Sequence, residues 1–157
     1  MEFTEIPVVR LKIIKEYDLK ISDRNVYGAD EAAPIFEDFI GGATLERLAL
    51  LCIDSSNYAI NVAILNIGNN KNVEVVPSEI FKIALLSNAT SIIICHNHPS
   101  GLLEPSQYDI EVTKKIGRIG YLLGIKLIDS MIMGYNGEYF SMRNELKKAG
   151  EKNDNYW

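Results

Sequence analysis

The chain is predicted to be an α/β protein, a mixed β-sheet flanked by helices, and three features of the pattern carry that prediction. Two apolar, strand-like runs, 45–53 and 58–67, stand either side of the turn formers Asp54-Ser55-Ser56-Asn57, as in a hairpin. Helical and strand-like spacing then alternate through the middle of the chain, and further short strand-like runs close it, so hairpins flank an alternating centre. At 157 residues, 47% apolar and 24% charged, the chain is long enough for one domain with a full core.

Taken in order, residues 8–15 alternate apolar and polar side chains and are expected to form a strand that adds to a sheet edge. Gly28-Ala29-Asp30 precedes a helix with Asp30 as cap and Ile35, Phe36, Phe39 and Ile40 on its apolar face, ending at Gly41-Gly42. The hairpin follows, then a turn at Gly68-Asn69-Asn70 and a short strand over 73–76. Pro77-Ser78-Glu79 opens a helix in which Ile80, Phe81, Ala84 and Leu85 share a face, and Asn88-Ala89 ends it. Residues 91–95 are short, β-branched and bounded by turn formers, the pattern of a buried strand. A helix starting near Ser106 presents Ile110, Val112, Ile116 and Ile119, is closed by Leu122 and Leu123, and stops at Gly124, a fitting C-cap. Residues 125–133 form the next strand, Gly134-Tyr135-Asn136-Gly137 a turn, and 138–142 the last strand. From Asn144 onward the polar composition predicts a frayed, solvated tail.

The formal charge is −5, so the chain lacks the basic footprint that carries non-specific nucleic-acid binding. Cys52 and Cys95 each lie inside an apolar run and are expected to be buried thiols rather than a disulfide or a metal pair. There is no basic-then-apolar leader, and no apolar run approaches the roughly 18 residues of a membrane span, so a soluble cytoplasmic protein without a membrane partner is expected.

Both histidines of the chain stand in Cys95-His96-Asn97-His98-Pro99-Ser100-Gly101, at the end of the buried run. On a strand His96 and His98 leave the same face, about 6.5 to 7 Å apart along the chain at about 3.3 Å per residue. Two imidazoles at that spacing can converge on one metal ion at about 2.0 to 2.1 Å each. Ser106 and Asp109 share a face of the following helix, whose first turn can send a carboxylate back toward the strand end and favours its ionised form. Two histidines and one carboxylate leave a tetrahedral position open, as catalytic zinc requires. The plain alternatives are two partly exposed polar histidines and a Ser106-x-x-Asp109 capping box.

The whole set, His96-Asn97-His98, seven residues, then Ser106-Gln107-Tyr108-Asp109, resembles the motif of the JAMM (MPN-type, JAB) metalloprotease family. The wording His-Asn-His-Pro-Ser-Gly is similar to its RadC-like branch, and the resemblance runs over residues 43–145. It implies a deaminase-like α/β/α fold, one zinc ion per chain on His96, His98 and Asp109, and hydrolysis of a peptide or isopeptide bond. It also implies a glutamate base at the start of an early strand. Glu46, in Leu45-Glu46-Arg47-Leu48-Ala49, fits that place, with Glu74 and Glu79 further from it. Ser106 would then hydrogen-bond the attacking water or the developing oxyanion. The plainer accounts are a solvated Glu46 paired with Arg47 or a lysine, and a Ser106 that only caps its helix.

On this reading residues 1–42 are a strand and helix packed on a metal domain, 43–145, with 146–157 a flexible tail. The helix-hairpin-helix-like segment that often precedes the domain in RadC-like proteins is expected to be absent, a short form similar to those of phages and mobile elements. The branch's inherited DNA-repair label finds no support in the charge. Where the branch usually has Asp-His after the long helix, this chain has Asp129-Ser130, which puts inference of the substrate in doubt. Asn97 points away from the metal by strand alternation and is expected to be structural. The competing function is a metal-binding interaction module without turnover. The letters H-N-H match the nuclease motif of that name only verbally, and the His-x-Glu and Pro-Cys-x-x-Cys of zinc deaminases are missing.

Overall fold

The computed structural model describes residues 3–68 and 74–150. The elements are α1 (Ala29–Phe36) running into a π turn (Glu37–Gly41), β1 (Arg47–Ile53), β2 (Ala59–Ile67), α2 (Pro77–Leu86), β3 (Ser91–Asn97), α3 (Gln107–Leu123), β4 (Lys126–Met133), β5 (Tyr139–Ser141) and α4 (Met142–Lys148). One sheet has the order β2-β1-β3-β4-β5. β1 is antiparallel to β2 and β3, β3 parallel to β4, and β4 antiparallel to β5. This is the mixed α/β sheet that the pattern predicts.

Alternation along the strands builds two cores. Ala49, Leu51 and Ile53 of β1, with Ile93 and Cys95 of β3, pack against α1 and Ile40 on one face. Leu50, Cys52, Ile92 and Ile94 pack against Ile80, Phe81, Ala84 and Ile116 of α2 and α3 on the other. Because both faces are covered, β3 is buried at every position, which is why its sequence is a continuous apolar run rather than an alternating one. The same alternation assigns His96 to the α2/α3 face and Asn97 to the α1 face. Gly120 lets α3 cross close to the chain entering β4, since a Cβ there would run into the Ile125 carbonyl.

Several expectations are corrected. Residues 8–15 carry no regular secondary structure and pair with no strand among the described residues, and Val8 is fully exposed at 101%. A period-two pattern needs a partner to become a strand, and pairing begins only at the Asn25–Tyr58 bridge. The cap of α1 is Gly28, whose N–H donates to Glu31 Oε2 at 3.0 Å, while Asp30 lies in the first turn and accepts from the Tyr139 hydroxyl. Residues 74–76 carry no strand, and Asn69, Asn70 and Val73 lie outside the described residues. β1 starts at Arg47, so Leu45 and Glu46 precede it. Leu122 and Leu123 are 81% and 45% exposed rather than closing the core face of α3.

The chain from Asn144 is helical rather than frayed as far as Lys148. Asp129 accepts from Ser141 Oγ at 2.5 Å and Arg143 N at 3.0 Å, Ser141 caps α4, and Met142 and Leu146 are buried. Residues 151–157, the rest of the expected tail, lie outside the described residues. No helix among the described residues is long and apolar enough to cross a membrane.

Candidate metal centre

The site lies where β3 ends. His96 pairs with Leu48 on β1 and Ile132 on β4, so strands flank it on both sides and it is 9% exposed. His98 follows one residue beyond the strand. Its N–H donates to the Met133 carbonyl at 2.9 Å, and its own carbonyl accepts from Gly101 N at 2.9 Å, closing the Pro99-Ser100 turn. Gly101 has φ +77°, and a Cβ there would run into the Tyr135 ring, whose hydroxyl donates to the Pro99 carbonyl at 2.6 Å. The Pro-Ser-Gly wording is thus what a tight turn beneath an aromatic ring requires.

Around that turn the two imidazoles tilt toward each other, bringing His96 Nε2 and His98 Nε2 to 3.0 Å. His98 Nδ1 lies 2.5 Å from the Leu102 carbonyl, which can only accept, so Nδ1 carries a proton and Nε2 is the nitrogen that faces His96. Burial pushes the His96 pKa down to about 4, against Asp109 and helped by His98, so the His96 ring is neutral. Neutral imidazole is the form that binds a metal.

Asp109 Oδ1 lies 3.5 Å from His96 Nε2, and Glu46 Oε1 lies 4.0 Å from it. With His96 neutral, neither approach is an ion pair. Donor atoms of Glu46, His96 and His98 all fall within 4.8 Å of one another, a group that could hold a metal ion. Ligands at 2.0 to 2.1 Å on a tetrahedral zinc ion are separated by about 3.3 to 3.4 Å. The His96–His98 and His96–Asp109 separations bracket that edge, and Glu46 stands beyond it. The donor set fits a zinc-type ion: the group whose donor atoms all lie close together is Glu46, His96 and His98, while Asp109 approaches His96.

Ser106 caps α3. Its Oγ accepts from Asp109 N at 3.1 Å, while Asp109 Oδ2 accepts from Ser106 N and Ser106 Oγ, each at 2.7 Å. This reciprocal box consumes one carboxylate oxygen and leaves Oδ1 turned toward His96. Burial raises the Glu46 pKa, with Asp109 adding and His98 opposing. Glu79 instead pairs with Lys82 at 2.6 Å on the surface, and Glu74 is exposed; neither joins the cluster. A cleft of about 580 Å³ opens over the site, with Thr44, Leu45, Glu46, His98, Leu102 and Ser106 among its walls.

The RadC-like JAB domain matches residues 26–148. The chain belongs to the RadC-like JAB domain family. Relatives include a UPF0758 protein of Finegoldia magna, 41% identical over 117 residues, covering 74% of this chain and 52% of that protein. A UPF0758 protein of Clostridium tetani is 39% identical over 121 residues, 77% of this chain and 53% of that one, and one of Clostridium kluyveri is 35% identical over 136 residues, 87% and 58%. The chain spans about half the length of the curated relatives it matches.

Within this JAB domain the Asp129-Ser130 departure acquires a local meaning. Asp129 is 2% exposed and accepts from Ser130 N at 2.7 Å, besides its bonds to the start of α4, so it ties β4 to that helix. The two cysteines are free and buried, as expected, and burial raises both thiols, Cys52 to about 11. Asn97, expected to be structural, bonds through its carboxamide to the chain around Glu46. Its partners lie about fifty residues upstream, and no local pattern announces them.

Proposed function

We propose that this RadC-like JAB domain is a zinc-dependent hydrolase of peptide or isopeptide bonds. The observation that carries the reading is the gathering of His98 Nε2, Asp109 Oδ1 and the Glu46 carboxylate around His96 Nε2, at 3.0, 3.5 and 4.0 Å, beside an open cleft that Glu46, His98 and Ser106 line. His96, His98 and Asp109 would hold one zinc ion per chain. Zinc, when bound, polarises the scissile carbonyl and lowers the pKa of water toward about 7.

The side chains do the rest. Glu46 takes the proton of the attacking water and returns it to the leaving nitrogen; a carboxyl raised by burial is better matched to that two-way transfer near neutral pH. Ser106 lines the cleft and is assigned the hydrogen bond to the developing oxyanion, a contact whose loss elsewhere costs about 3 to 4 kcal/mol in barrier. Its hydroxyl must then leave Asp109 Oδ2, and the Ser106 N–H keeps that carboxylate in place.

The partner proposed is a peptide or protein. Among the described residues no lysine or arginine lines the cleft, so it lacks the basic side chains that hold a phosphate backbone, in keeping with the net charge of −5.

Elemental analysis of never-chelated protein tests the reading, together with a screen of peptide and isopeptide substrates. One zinc per chain in wild type and Glu46→Gln, lost in His98→Ala and Asp109→Ala, with turnover only in wild type, is the expected outcome. Wild type that holds no metal even after zinc is added back refutes the metal site. Wild type that binds zinc but cleaves nothing leaves the domain an interaction module.

A further inference from the structure

We infer that Asn97 is the positioning residue for Glu46, registering the proposed base against the histidines. The inference rests on the hydrolase reading for what Glu46 does, but not for how Glu46 is held. The β1–β3 ladder ends at the Leu48–His96 pair, just where the chain of residues 43–46 turns away from β3. Asn97 continues the pairing with its side chain. Its Oδ1 accepts from Arg47 N at 2.7 Å, and its Nδ2 donates to the Leu45 carbonyl at 3.2 Å and the Ala43 carbonyl at 3.3 Å.

Two of these partners, Leu45 and Arg47, flank Glu46 directly, and Gly68 N donates to the Glu46 carbonyl at 2.7 Å from the end of β2. The Glu46 backbone is therefore gripped from both sides. Among the described residues no hydrogen bond holds the Glu46 carboxylate itself, so its 4.0 Å approach to His96 is set by that grip. Asn97 is 1% exposed and lies between the two histidines in sequence, on the opposite face of β3. A displacement of β3 would thus carry His96 and the anchor of Glu46 together.

The residue type follows from the bonds. A carboxamide offers one acceptor and two donors, and all are matched here. Aspartate in its place would set a charge against two carbonyl oxygens, and alanine would leave Arg47 N–H and both carbonyls without these partners. None of His96, His98 and Asp109 rides on residues 43–47, so metal binding and positioning of the base are separable.

Zinc-loaded Asn97→Ala and Asn97→Asp test the inference by crystal structure and by kinetics on a substrate from the screen. Zinc content should match wild type, the Glu46 carboxylate should withdraw from His96 Nε2 by about 1 Å or more, and kcat should fall about 100-fold, with KM little changed. A variant that keeps zinc and keeps Glu46 at the wild-type distance overturns the inference, as does a loss confined to thermal stability with kcat intact. If wild type itself cleaves nothing, the hydrolase reading fails, and the crystal comparison still decides the positioning claim. Should neither variant fold, hydrogen exchange in wild type decides it: Arg47 N–H is expected to be as protected as the β1–β3 ladder amides, and exchange at a coil-like rate overturns the inference.

Discussion

Replacing Asp109 by asparagine separates the two jobs the structure assigns to one carboxylate. Oδ2 accepts two bonds of 2.7 Å from Ser106, while Oδ1 faces His96 at 3.5 Å. Asparagine has one oxygen for both sides. If that oxygen stays with Ser106, an NH2 group faces the imidazoles and the third metal position is lost; if it turns, the NH2 meets the Ser106 N–H. Without metal the change weakens a helix cap and should cost about 1 kcal/mol.

The metal term is larger. A ligand at 100 times its dissociation constant stabilises the native state by about 2.7 kcal/mol. For a chain of this length that is a rise in melting temperature of roughly 5 to 11 °C, taking 2 to 4 °C per kcal/mol. Thermal unfolding followed by circular dichroism, with and without zinc, should therefore show a large zinc-dependent rise in wild type and in Glu46→Gln. Asp109→Asn should show a rise of at most a degree or two. A variant that retains the full rise would show that Asp109 is not a ligand and that Glu46, 4.0 Å from His96, takes the third position instead.

Three further outcomes follow from the fold. Burial raises the Asp129 pKa above its ordinary 3.8, against its bonds to Ser141, Arg143 and Ser130; the native state then holds that proton more tightly than the unfolded chain. The contribution of Asp129 to stability should therefore fall as pH rises from below 3.8 through the folded-state pKa. Urea unfolding of wild type against Asp129→Asn should show the wild-type advantage shrinking over that window, and an advantage that grows with pH would reverse the sign. Gly120→Ala should lower the melting temperature, because meeting the Ile125 carbonyl costs about 1 to 3 kcal/mol against a helix-propensity gain near 1 kcal/mol. In native protein near pH 8, Cys52 and Cys95 should resist alkylation as judged by intact mass, and rapid double labelling would contradict their burial.

What could be read from the sequence divides by the range of the interactions. The histidines and the Ser106–Asp109 box lie within fifteen residues, and each follows from a local rule: alternation on a strand, a turn at Gly101, a cap at a helix start. The hairpin, the central strands and the two helices between them were legible for the same reason. The 6.5 to 7 Å spacing along the chain understated how close the ring nitrogens come, because the turn and the Leu102 carbonyl rotate His98 toward His96. The failures are non-local. The pattern in residues 8–15 finds no partner strand among the described residues, and the start of α4, capped by Ser141, is anchored by Asp129, at least twelve residues upstream.

Glu46 shows why the base was the least legible part of the site. A glutamate ahead of a strand has no local signature, and the structure places its carboxylate with no hydrogen bond of its own among the described residues. What distinguishes it from a solvated glutamate is the company of its backbone: Asn97 from β3 and Gly68 beyond β2 hold residues 45–47 from two sides. Its position therefore derives from tertiary pairing, whereas His96 and His98 derive theirs from one strand and one turn. A chain could keep both histidines and Asp109 and lose the base by changing Asn97 or the segment it holds, which would convert a hydrolase into a metal-binding module. The two functional readings thus differ less in the metal ligands than in whether the segment ahead of β1 is held in place.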